Sequence, residues 1–331
     1  MIVARAPLRI PLGGGGTDLP AYSSKYEGFV VSAAINKYVY LHINRPHVDD
    51  VIRIKYSKTE EVGSVDEICH PLVREALRLT GVTCGIEISA MADVPAGTGL
   101  GSSGSFLVAL LTALHGFRRE QVPTHVIAEE ACHIEIELAG QPAGKQDQYM
   151  AAFGGFTCMN IARDGTVAVT PLKLSPATAE ELRSHMLVFY TGFRRESFDI
   201  LEEQGRAARE EKRVVLESLH AIKEIGRRIR DSLERDDLMA FGGLLHEHWE
   251  YKKCISEKMA PGPVEHWYQL GRRHGALGGK LIGAGGGGFL LFFIPSENGN
   301  KAHLRAAMAE EGLREMPFDF DLEGAKVVMN F

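Results

Sequence analysis

The sequence predicts a protein of mixed β-strands and α-helices, divided into two parts of different character. Three observations support this prediction: strand-like and helix-like apolar patterns follow one another along the chain, glycine is concentrated at four places, and long charged helical patterns appear in the second half. With 331 residues, of which 45% are hydrophobic, the chain has enough apolar material for one large domain or two ordinary ones. We place a boundary between residues 174 and 179, which gives domains 1–175 and 176–331.

The first part alternates strands, helices and turns. The elements predicted there are strands at 1–12, 29–44 and 84–94 and helices at 67–81, 106–117 and 124–140. Gly81 ends the first helix, and Thr124 has the residue type and position of an N-cap for the third. The pair Asp164 and Gly165 predicts the turn of a hairpin.

The second part is dominated by charged helices, with strands before and after them. The elements predicted there are strands at 186–192, 288–295 and 326–331, long charged helices across 197–235 and a further helix at 237–257. No repeat of solenoid period occurs, and the glycine runs are the only tracts of low complexity.

Composition and charge exclude several classes of protein. The five cysteines are scattered, without a CxxC pair or a Cys/His cluster at metal-ligand spacing, which is typical of buried thiols in a reducing compartment. The pattern of a signal peptide is not seen, and no apolar run reaches the ~20 residues that span a bilayer. A net charge of −6 argues against a general nucleic-acid binder. We therefore expect a cytoplasmic protein without nucleic-acid or membrane partners.

A stretch of small residues, PAGTGLGSSGS at 95–105, lies between a predicted strand and a predicted helix. Its four glycines leave room for a group that lies against the main chain. Ser102 and Ser103 fall at the helix start, where free N–H groups and the positive end of the helix dipole favour an anion such as phosphate. The spacing is neither that of a Walker loop nor that of a Rossmann fingerprint. A tight turn that needs small residues only for packing is the alternative, but such a turn requires one or two glycines.

Three segments, in this order, resemble the three motifs of the GHMP kinases, the family of galactokinase, homoserine kinase, mevalonate kinase and phosphomevalonate kinase. They are APLRIPLGGGGTDLPAY at 6–22, PAGTGLGSSGS at 95–105 and KLIGAGGGGFLLFF at 280–293. Three ordered motifs are more specific than any one alone. The resemblance implies the α+β GHMP kinase fold, with an N-terminal domain like domain 2 of ribosomal protein S5, containing an uncommon left-handed βαβ arrangement, and a ferredoxin-like α+β C-terminal domain.

The resemblance implies phosphoryl transfer from ATP, which needs a phosphate cradle, Mg²⁺ and a residue that orients or deprotonates the acceptor hydroxyl. It points to Ser103 and to a carboxylate on the next helix as the Mg²⁺ ligands. Glu135 lies at the edge of an apolar helical stripe, where a carboxylate needs a counter-charge, so we predict Glu135 as the Mg²⁺ ligand. Glu137 lies on the polar side and is interpreted as a solvated acid. The residues that the second motif assigns to the nucleotide are Pro95, Gly97, Gly99, Leu100, Gly101, Ser102, Ser103, Gly104 and Ser105.

The segment 137–155, ELAGQPAGKQDQYMAAFGG, resembles the part of galactokinases in which a short glycine-rich loop ends in Asp-Gln. The resemblance equates Asp147 with the catalytic aspartate of the family. The sequence leaves open whether Asp147 takes the proton of the attacking hydroxyl or mainly orients that hydroxyl. Arg9 aligns with the basic residue of the first motif and would offset charge beside Asp147, although an arginine in a strand is usually a surface residue.

The first motif departs from that of galactokinases, which carry a Glu-His pair before Thr-Asp. Here Gly15 and Gly16 precede Thr17 and Asp18, so that Asp18 can hold sugar hydroxyls in a pocket with room for a larger sugar. The segments GGGGTDLPAY, YTGFRRESFDILEEQ and HEHWEYKKCIS resemble bacterial D-glycero-D-manno-heptose 7-phosphate kinases. This resemblance implies the 1,7-bisphosphate as product, for nucleotide-activated heptose and capsule or surface polysaccharide synthesis.

A phosphorylated acceptor needs cations at the far end of the sugar. The basic residues that the sequence offers for this task are Arg194, Arg195, Lys252, Lys253 and Lys280. We predict Arg195 and Lys253, although paired basic residues at helix edges are commonly solvated. Gly144, in the loop before the aspartate, and Gly285 and Gly286, in the third motif, are further predicted contacts of the sugar. A simple glycine turn between strands is compatible with the last two.

Taken together, these interpretations predict a sugar 1-kinase, a phosphotransferase with an alcohol acceptor, whose partners are ATP, Mg²⁺ and a sugar phosphate. The sequence leaves a homodimer open. Two alternatives stand beside this prediction: a GHMP kinase for another sugar, such as L-fucose or galactose, and a non-catalytic regulator that binds sugar and nucleotide on the same fold. The joint presence of Arg9, Ser103, Glu135 and Asp147 favours catalysis, because a binding-only relative would be free to lose Asp147.

Overall fold

Two β-sheets organise the protein in the computed structural model, which describes residues 1–193, 197–295 and 301–331. The strands of these residues are β1 (Ile2–Gly13), β2 (Gly28–Asn44), β3 (Ile52–Lys55), β4 (Thr59–Val62), β5 (Ile86–Ala92), β6 (Phe156–Ile161), β7 (Val167–Pro171), β8 (Met186–Tyr190), β9 (Gly278–Leu281), β10 (Phe289–Phe293), β11 (Arg314–Glu315) and β12 (Lys326–Asn330). Eight of them form the first sheet, in the order β12-β1-β2-β5-β3-β4 with β6 paired to β2 and β7 to β6. The other four form the second sheet, in the order β11-β8-β10-β9.

Helices connect and cover the sheets. Those in the described residues are α1 (Pro20–Tyr26), α2 (Pro71–Thr80), α3 (Ser102–Arg118), α4 (Thr124–Cys132), α5 (Gln146–Phe153), α6 (Pro176–His185), α7 (Ser197–Arg209), α8 (Arg213–Leu233), α9 (Leu238–Lys253), α10 (Gly262–Arg273) and α11 (Lys301–Glu310). A π-helical turn, His133–Leu138, continues α4. No helix among the described residues combines the length and the apolar content needed to cross a membrane.

The predicted strands and helices agree with the structure in type, and the differences are local. The hairpin of β6 and β7 turns at Asp164, whose Oδ1 accepts a hydrogen bond of 2.9 Å from the backbone N–H of Thr166. Thr124 is not an N-cap but the first residue of α4, because Pro123 has the extended backbone of the N-cap and its fixed φ suits the entry into a helix. Glu211, with a φ of +53°, lies between the two helices of the charged segment.

The last strand of the chain belongs to the first sheet. β12 pairs antiparallel with β1, with Ile2 opposite Asn330 and Arg5 opposite Lys326. The strand prediction for 326–331 is therefore confirmed, but its partner lies more than 300 residues away in the sequence. The division into domains 1–175 and 176–331 stays a prediction.

One hydrophobic core runs from the first sheet to the second. Helices α3, α5 and α8 pack against β1 and β2, while α9 packs against both α8 and β9. Accordingly Leu8 of β1, Ile229 of α8, Phe241 of α9 and Phe293 of β10 belong to the same buried cluster. This packing fixes the ends of β1, α3, α5 and α9 relative to one another, and the main cavity lies between those ends.

Two adjacent glycines of α9 offer a test of this packing. A Cβ on Gly242 would lie 2.6 Å from Cδ1 of Phe293 and 3.0 Å from Cβ of Leu277, whereas a Cβ on Gly243 would meet nothing. We predict that Gly243→Ala raises the free energy of unfolding by about 0.5–1 kcal/mol, because glycine is a poor helix former. Gly242→Ala should lower it by about 1–3 kcal/mol through overpacking. Chemical denaturation measures both values, and equal effects would contradict the packing of α9 on the second sheet.

Candidate active site

A cavity of about 760 Å³ lies where the N-termini of α3 and α5 approach the end of β1, with residues of α9 and of the turn after β9 along one wall. It is lined by parts of all three glycine-rich motifs that the sequence singles out. Segments that are distant in the sequence therefore meet around one space of a size that holds small molecules.

The glycine-rich loop before α3, residues 95–101, forms one part of the cavity wall. We call it the phosphate loop, after the group that we expect it to bind. Gly97, Gly99 and Gly101 have φ values of +76°, +85° and +81°, which a residue with a Cβ adopts only with strain. A Cβ on Gly99 would also lie 2.5 Å from the carbonyl oxygen of Ile282. Helix α3 begins at Ser102 without a side-chain cap, so its first N–H groups are available to an anion.

The residues assigned to the nucleotide divide into two groups. Those that line the cavity are Gly97, Gly99, Gly101, Ser102 and Ser103. The others, Pro95, Leu100, Gly104 and Ser105, are not among its lining residues. Ser105 donates a hydrogen bond of 2.7 Å to the carbonyl oxygen of Pro7, and Gly104 packs on Asp147. These two residues therefore hold the start of α3 in place without facing the cavity. The nucleotide contacts themselves stay a prediction.

Arg9 and Asp147 form an ion pair at the cavity. Arg9 is 4% exposed, and its Nε and Nη2 lie 2.9 and 2.7 Å from Oδ1 of Asp147. Its Nη1 donates a hydrogen bond of 2.6 Å to the carbonyl oxygen of Gly99. Among the described residues no hydrogen-bond partner is found for Oδ2 of Asp147. A carboxylate oxygen is thus available to a ligand hydroxyl, on a side chain that the guanidinium group of Arg9 holds in place.

Glu135 lies in the π-helical turn and is 3% exposed, although no cation among the described residues pairs with it. Burial raises the pKa of its carboxyl to about 7, the charge of Asp147 adds to the rise, and hydrogen bonds from Ser103 and Gln148 oppose it. The Nε2 of Gln148 donates a bond of 2.6 Å to this carboxylate. A buried carboxylate beside a hydroxyl is the hard oxygen donor set that suits Mg²⁺, so Ser103 and Glu135 fit the predicted metal.

The described residues contain no group of three or more His, Cys, Asp or Glu side chains placed to hold a metal ion. Two protein ligands agree with the usual way in which Mg²⁺ is bound, since it takes its other ligands from water and phosphates. Glu137 is exposed and its Oε2 lies 2.9 Å from Nδ1 of His133, as expected for a surface acid. Leu138, which the helical stripe would bury, is 46% exposed because the π-helical turn changes the register.

Asp18 lies in the cavity wall at the end that we expect to hold the sugar. Its Oδ1 accepts a hydrogen bond of 3.0 Å from the N–H of Gly16, and its Oδ2 accepts one of 3.1 Å from the N–H of Gln146. Burial, and secondarily the charge of Asp147, raise the pKa of this carboxyl. A Cβ on Gly144 would collide with Oδ2, so glycine is required at that position.

The remaining residues predicted to contact the sugar differ in position. Gly15 and Gly16 line the cavity together with Gly144. Thr17 is buried, and its hydroxyl donates to the carbonyl oxygens of Gly14 and Phe29, so it shapes the turn rather than facing the cavity.

Three more of the predicted sugar contacts do not line the cavity. Gly285 and Gly286 pack against Met259, to whose carbonyl oxygen the N–H of Gly286 donates a bond of 3.2 Å. The Nζ of Lys253 pairs with carboxylates of α9 and α10, at 2.9 Å from Glu250 and 3.3 Å from Glu265. Arg195 lies outside the described residues. The structure corrects the expectation that Lys253 faces the sugar, because one step along α9 rotates a side chain by about 100° and it is Lys252 that lines the cavity.

The apolar end of the cavity is not predicted from the sequence. The ring of His70 stacks on Phe106 at 5.2 Å between centroids, and Tyr56 meets His70 edge-on at 4.8 Å. Other apolar residues of this end are Val39, Leu72, Ala90, Met91, Ala92, Val94 and Ala96. They come from strands, loops and two helices, so no local pattern marks them. An apolar region with aromatic rings, next to the glycine-rich loop before α3, has the chemistry to hold a nucleotide base.

Comparisons with known proteins agree with this geometry. The family model described as the GHMP kinases N terminal domain matches residues 68–155, and the model described as GHMP kinases C terminal matches residues 229–312. The D-glycero-alpha-D-manno-heptose 7-phosphate kinase of Campylobacter jejuni is 32% identical over 98% of this chain and 98% of its own.

Two further relatives are informative. A crystal structure of a D-glycero-D-manno-heptose 1-phosphate kinase from Bacteroides thetaiotaomicron superposes with a TM-score of 0.82, at 27% identity and over 100% of both chains. The L-fucokinase/L-fucose-1-P guanylyltransferase of Bacteroides fragilis is 28% identical over 94% of this chain, which spans 36% of that larger protein. Thus proteins that act on different sugars share this sequence pattern.

The raised pKa of Glu135 leads to a prediction about stability. Because the folded protein binds this proton more tightly than the unfolded chain, the ionised carboxylate destabilises the fold increasingly as pH rises from the ordinary pKa of 4.5 to about 7. In buffer with EDTA at pH 8, Glu135→Gln should therefore have a free energy of unfolding about 1–3 kcal/mol above that of the wild type. Near pH 4 the difference should disappear.

Denaturant unfolding at the two pH values checks this prediction. Glu137→Gln is the matched control: its carboxylate is exposed, so the change should stay within about 0.5 kcal/mol at both values. A Glu135→Gln protein no more stable than the wild type at pH 8 would contradict the burial of an unpaired carboxylate.

Proposed function

Since the chain belongs to the GHMP kinase family, we propose that it transfers the γ-phosphoryl group of ATP to the anomeric 1-hydroxyl of D-glycero-D-manno-heptose 7-phosphate. Family membership, together with the similarity to a heptose 7-phosphate kinase over the whole chain, makes it a sugar phosphotransferase, and ATP is the phosphoryl donor of such kinases. The choice of acceptor is the proposal. Its main support is the similarity to the heptose 7-phosphate kinase of Campylobacter jejuni, which extends over 98% of this chain.

On this proposal the nucleotide occupies the apolar end and the phosphate loop. The base lies against His70 and Phe106, and the phosphates accept hydrogen bonds from the loop and from the first N–H groups of α3. Ser103 and Glu135 would hold a Mg²⁺ ion, which when bound would offset the negative charge of the phosphates. The buried carboxylate of Glu135 would then have the counter-charge that no described residue supplies.

The acceptor occupies the other part of the cavity. Asp18 binds sugar hydroxyls there, and the glycines at 15, 16 and 144 leave the room that a seven-carbon sugar needs. Oδ2 of Asp147 accepts the hydrogen bond of the anomeric hydroxyl, and takes its proton as the new O–P bond forms and the bond to ADP breaks. Arg9 holds Asp147 in this position through Oδ1.

The product of this reaction is the heptose 1,7-bisphosphate. As part of the same proposal, the enzyme acts in the cytoplasm and supplies nucleotide-activated heptose for a capsule or another surface polysaccharide. The second candidate is a kinase for L-fucose, which the 28% identity to the Bacteroides fragilis protein favours.

A substitution of the proposed catalytic residue tests the mechanism. Asp147→Asn should keep the affinity for ATP while kcat falls by about a thousandfold, because the amide can orient a hydroxyl but cannot take its proton. Steady-state kinetics and calorimetric titration of the nucleotide provide the two values. Asp164→Asn, in the exposed β6–β7 turn, is the control and should keep full turnover. A turnover near that of the wild type in Asp147→Asn would exclude this mechanism.

A panel of acceptors tests the substrate. In a coupled assay of ADP release with ATP and Mg²⁺, we predict turnover with D-glycero-D-manno-heptose 7-phosphate at a kcat/KM at least about a hundredfold above those of mannose, galactose, L-fucose and unphosphorylated heptose. Turnover confined to L-fucose or another neutral sugar would support the kinase activity but exclude heptose 7-phosphate as the acceptor. The absence of turnover with every acceptor would favour the alternative that the protein is a non-catalytic regulator.

A further inference from the structure

Three basic side chains are buried along one wall of the cavity and have no role in the mechanism described above. His248 and Lys252 belong to α9 and Lys280 to β9, and they are 1%, 8% and 1% exposed. All three line the cavity. We call them the basic cluster.

The hydrogen bonds of the basic cluster leave its charge without compensation. The Nζ of Lys252 donates to the carbonyl oxygens of Leu281 and Gly283, and that of Lys280 donates to the carbonyl oxygen of Leu12 at 3.1 Å. No carboxylate among the described residues pairs with either ammonium group. Both ring nitrogens of His248 are buried without a hydrogen-bond partner.

Burial of such groups destabilises a fold unless an anion accompanies them. Desolvation and the charge of Arg9 lower the pKa of Lys252 to about 7, and desolvation with the neighbouring lysines lowers the pKa of His248 well below its ordinary value. Desolvation, Lys252 and Arg9 act in the same direction on the pKa of Lys280. Arg9 differs from the cluster, because it is neutralised by Asp147. The unused N–H groups of the cluster therefore suit a multiply charged oxyanion.

The surroundings of the cluster connect it to the acceptor part of the cavity. Leu12, which Lys280 contacts, directly precedes the glycine run that ends at Gly16. Gly16 also accepts a long hydrogen bond of 3.5 Å from the Nε2 of Gln204, which lines the same cavity as the cluster. The phosphate loop, by contrast, presents its own donors at the start of α3.

We infer that His248, Lys252 and Lys280 form a subsite for the phosphate group of the acceptor sugar. This inference rests on the proposed function and specifies it: the acceptor is a phosphate monoester, and its phosphate lies against α9 and β9. Bound there, the phosphate oxygens accept hydrogen bonds from the free N–H groups of the two lysines and of the imidazole. Charge-assisted bonds of this kind are about twice as strong as neutral ones, which gives preference over an unphosphorylated sugar.

Adjacent lysines of α9 provide a matched pair for the test. Lys252→Met keeps the length and burial of the side chain and removes its charge, whereas Lys253→Met removes a charge that is paired outside the cavity. We expect Lys252→Met to raise the KM for heptose 7-phosphate by about 30-fold or more, in line with the loss of a charge-assisted hydrogen bond. The KM for ATP and the kcat/KM for unphosphorylated heptose should change less than about threefold. Lys253→Met should behave as the wild type.

Two kinetic results would overturn the inference. An equal loss of kcat on phosphorylated and unphosphorylated acceptors would mean that Lys252 acts on the transferring phosphoryl group or holds the turn at Gly283. An unchanged KM for heptose 7-phosphate would mean that it does not contact the acceptor. The thermal unfolding midpoint distinguishes these results from misfolding, because replacing a buried unpaired charge by methionine should leave the midpoint unchanged or raise it.

The inference can also be tested if the substrate proposal itself fails. Should the wild type not turn over heptose 7-phosphate, inorganic phosphate is titrated by calorimetry into protein saturated with ADP, whose phosphates occupy the loop before α3. Binding by the wild type and Lys253→Met that is at least about tenfold weaker in Lys252→Met supports the subsite. Equal binding by all three proteins, or no binding by the wild type, overturns it.

Discussion

The ion pair between Arg9 and Asp147 holds together three parts of the chain that are far apart in sequence. The backbone N–H of Arg9 donates to the carbonyl oxygen of Leu100 and its side chain to that of Gly99, so β1 is fixed to the phosphate loop. The same guanidinium group fixes Asp147 at the start of α5. The close approach of α3 to this aspartate depends on a glycine, since a Cβ on Gly104 would lie 2.8 Å from Cβ of Asp147. The position of the Asp147 carboxylate relative to the glycine-rich loop before α3 is thereby set by the fold itself.

Besides the Arg9–Asp147 pair, the cavity wall contains buried charged groups that have no partner of opposite charge among the described residues. Glu135 is buried beside the phosphate loop without a cation, and Lys252 and Lys280 are buried without a carboxylate among the described residues. Each of these groups destabilises the empty protein and is offset only by a ligand of the opposite charge. A divalent cation at the first position and a phosphate monoester at the second would compensate both.

Local signals in the sequence are sufficient for most elements, because strand periodicity, glycine turns and short loops act over a few residues. The choice between Lys252 and Lys253 was not local, since it depends on how α9 is rotated against β9. The cluster of Tyr56, His70 and Phe106 is likewise not predictable from the sequence, because these rings come together only in the folded protein. The pairing of β12 with β1 likewise depends on tertiary structure, although the strand itself was evident.

A crystal structure of the enzyme with a non-hydrolysable ATP analogue and D-glycero-D-manno-heptose 7-phosphate would test the central claim most directly. That claim is that Asp147, held by Arg9, meets the anomeric hydroxyl of the acceptor. The distance between that hydroxyl oxygen and Oδ2 of Asp147 should be about 2.6–3.2 Å, the range of a hydrogen bond to a general base. An acceptor bound in the cavity with its anomeric hydroxyl turned away from Asp147 would contradict the claim.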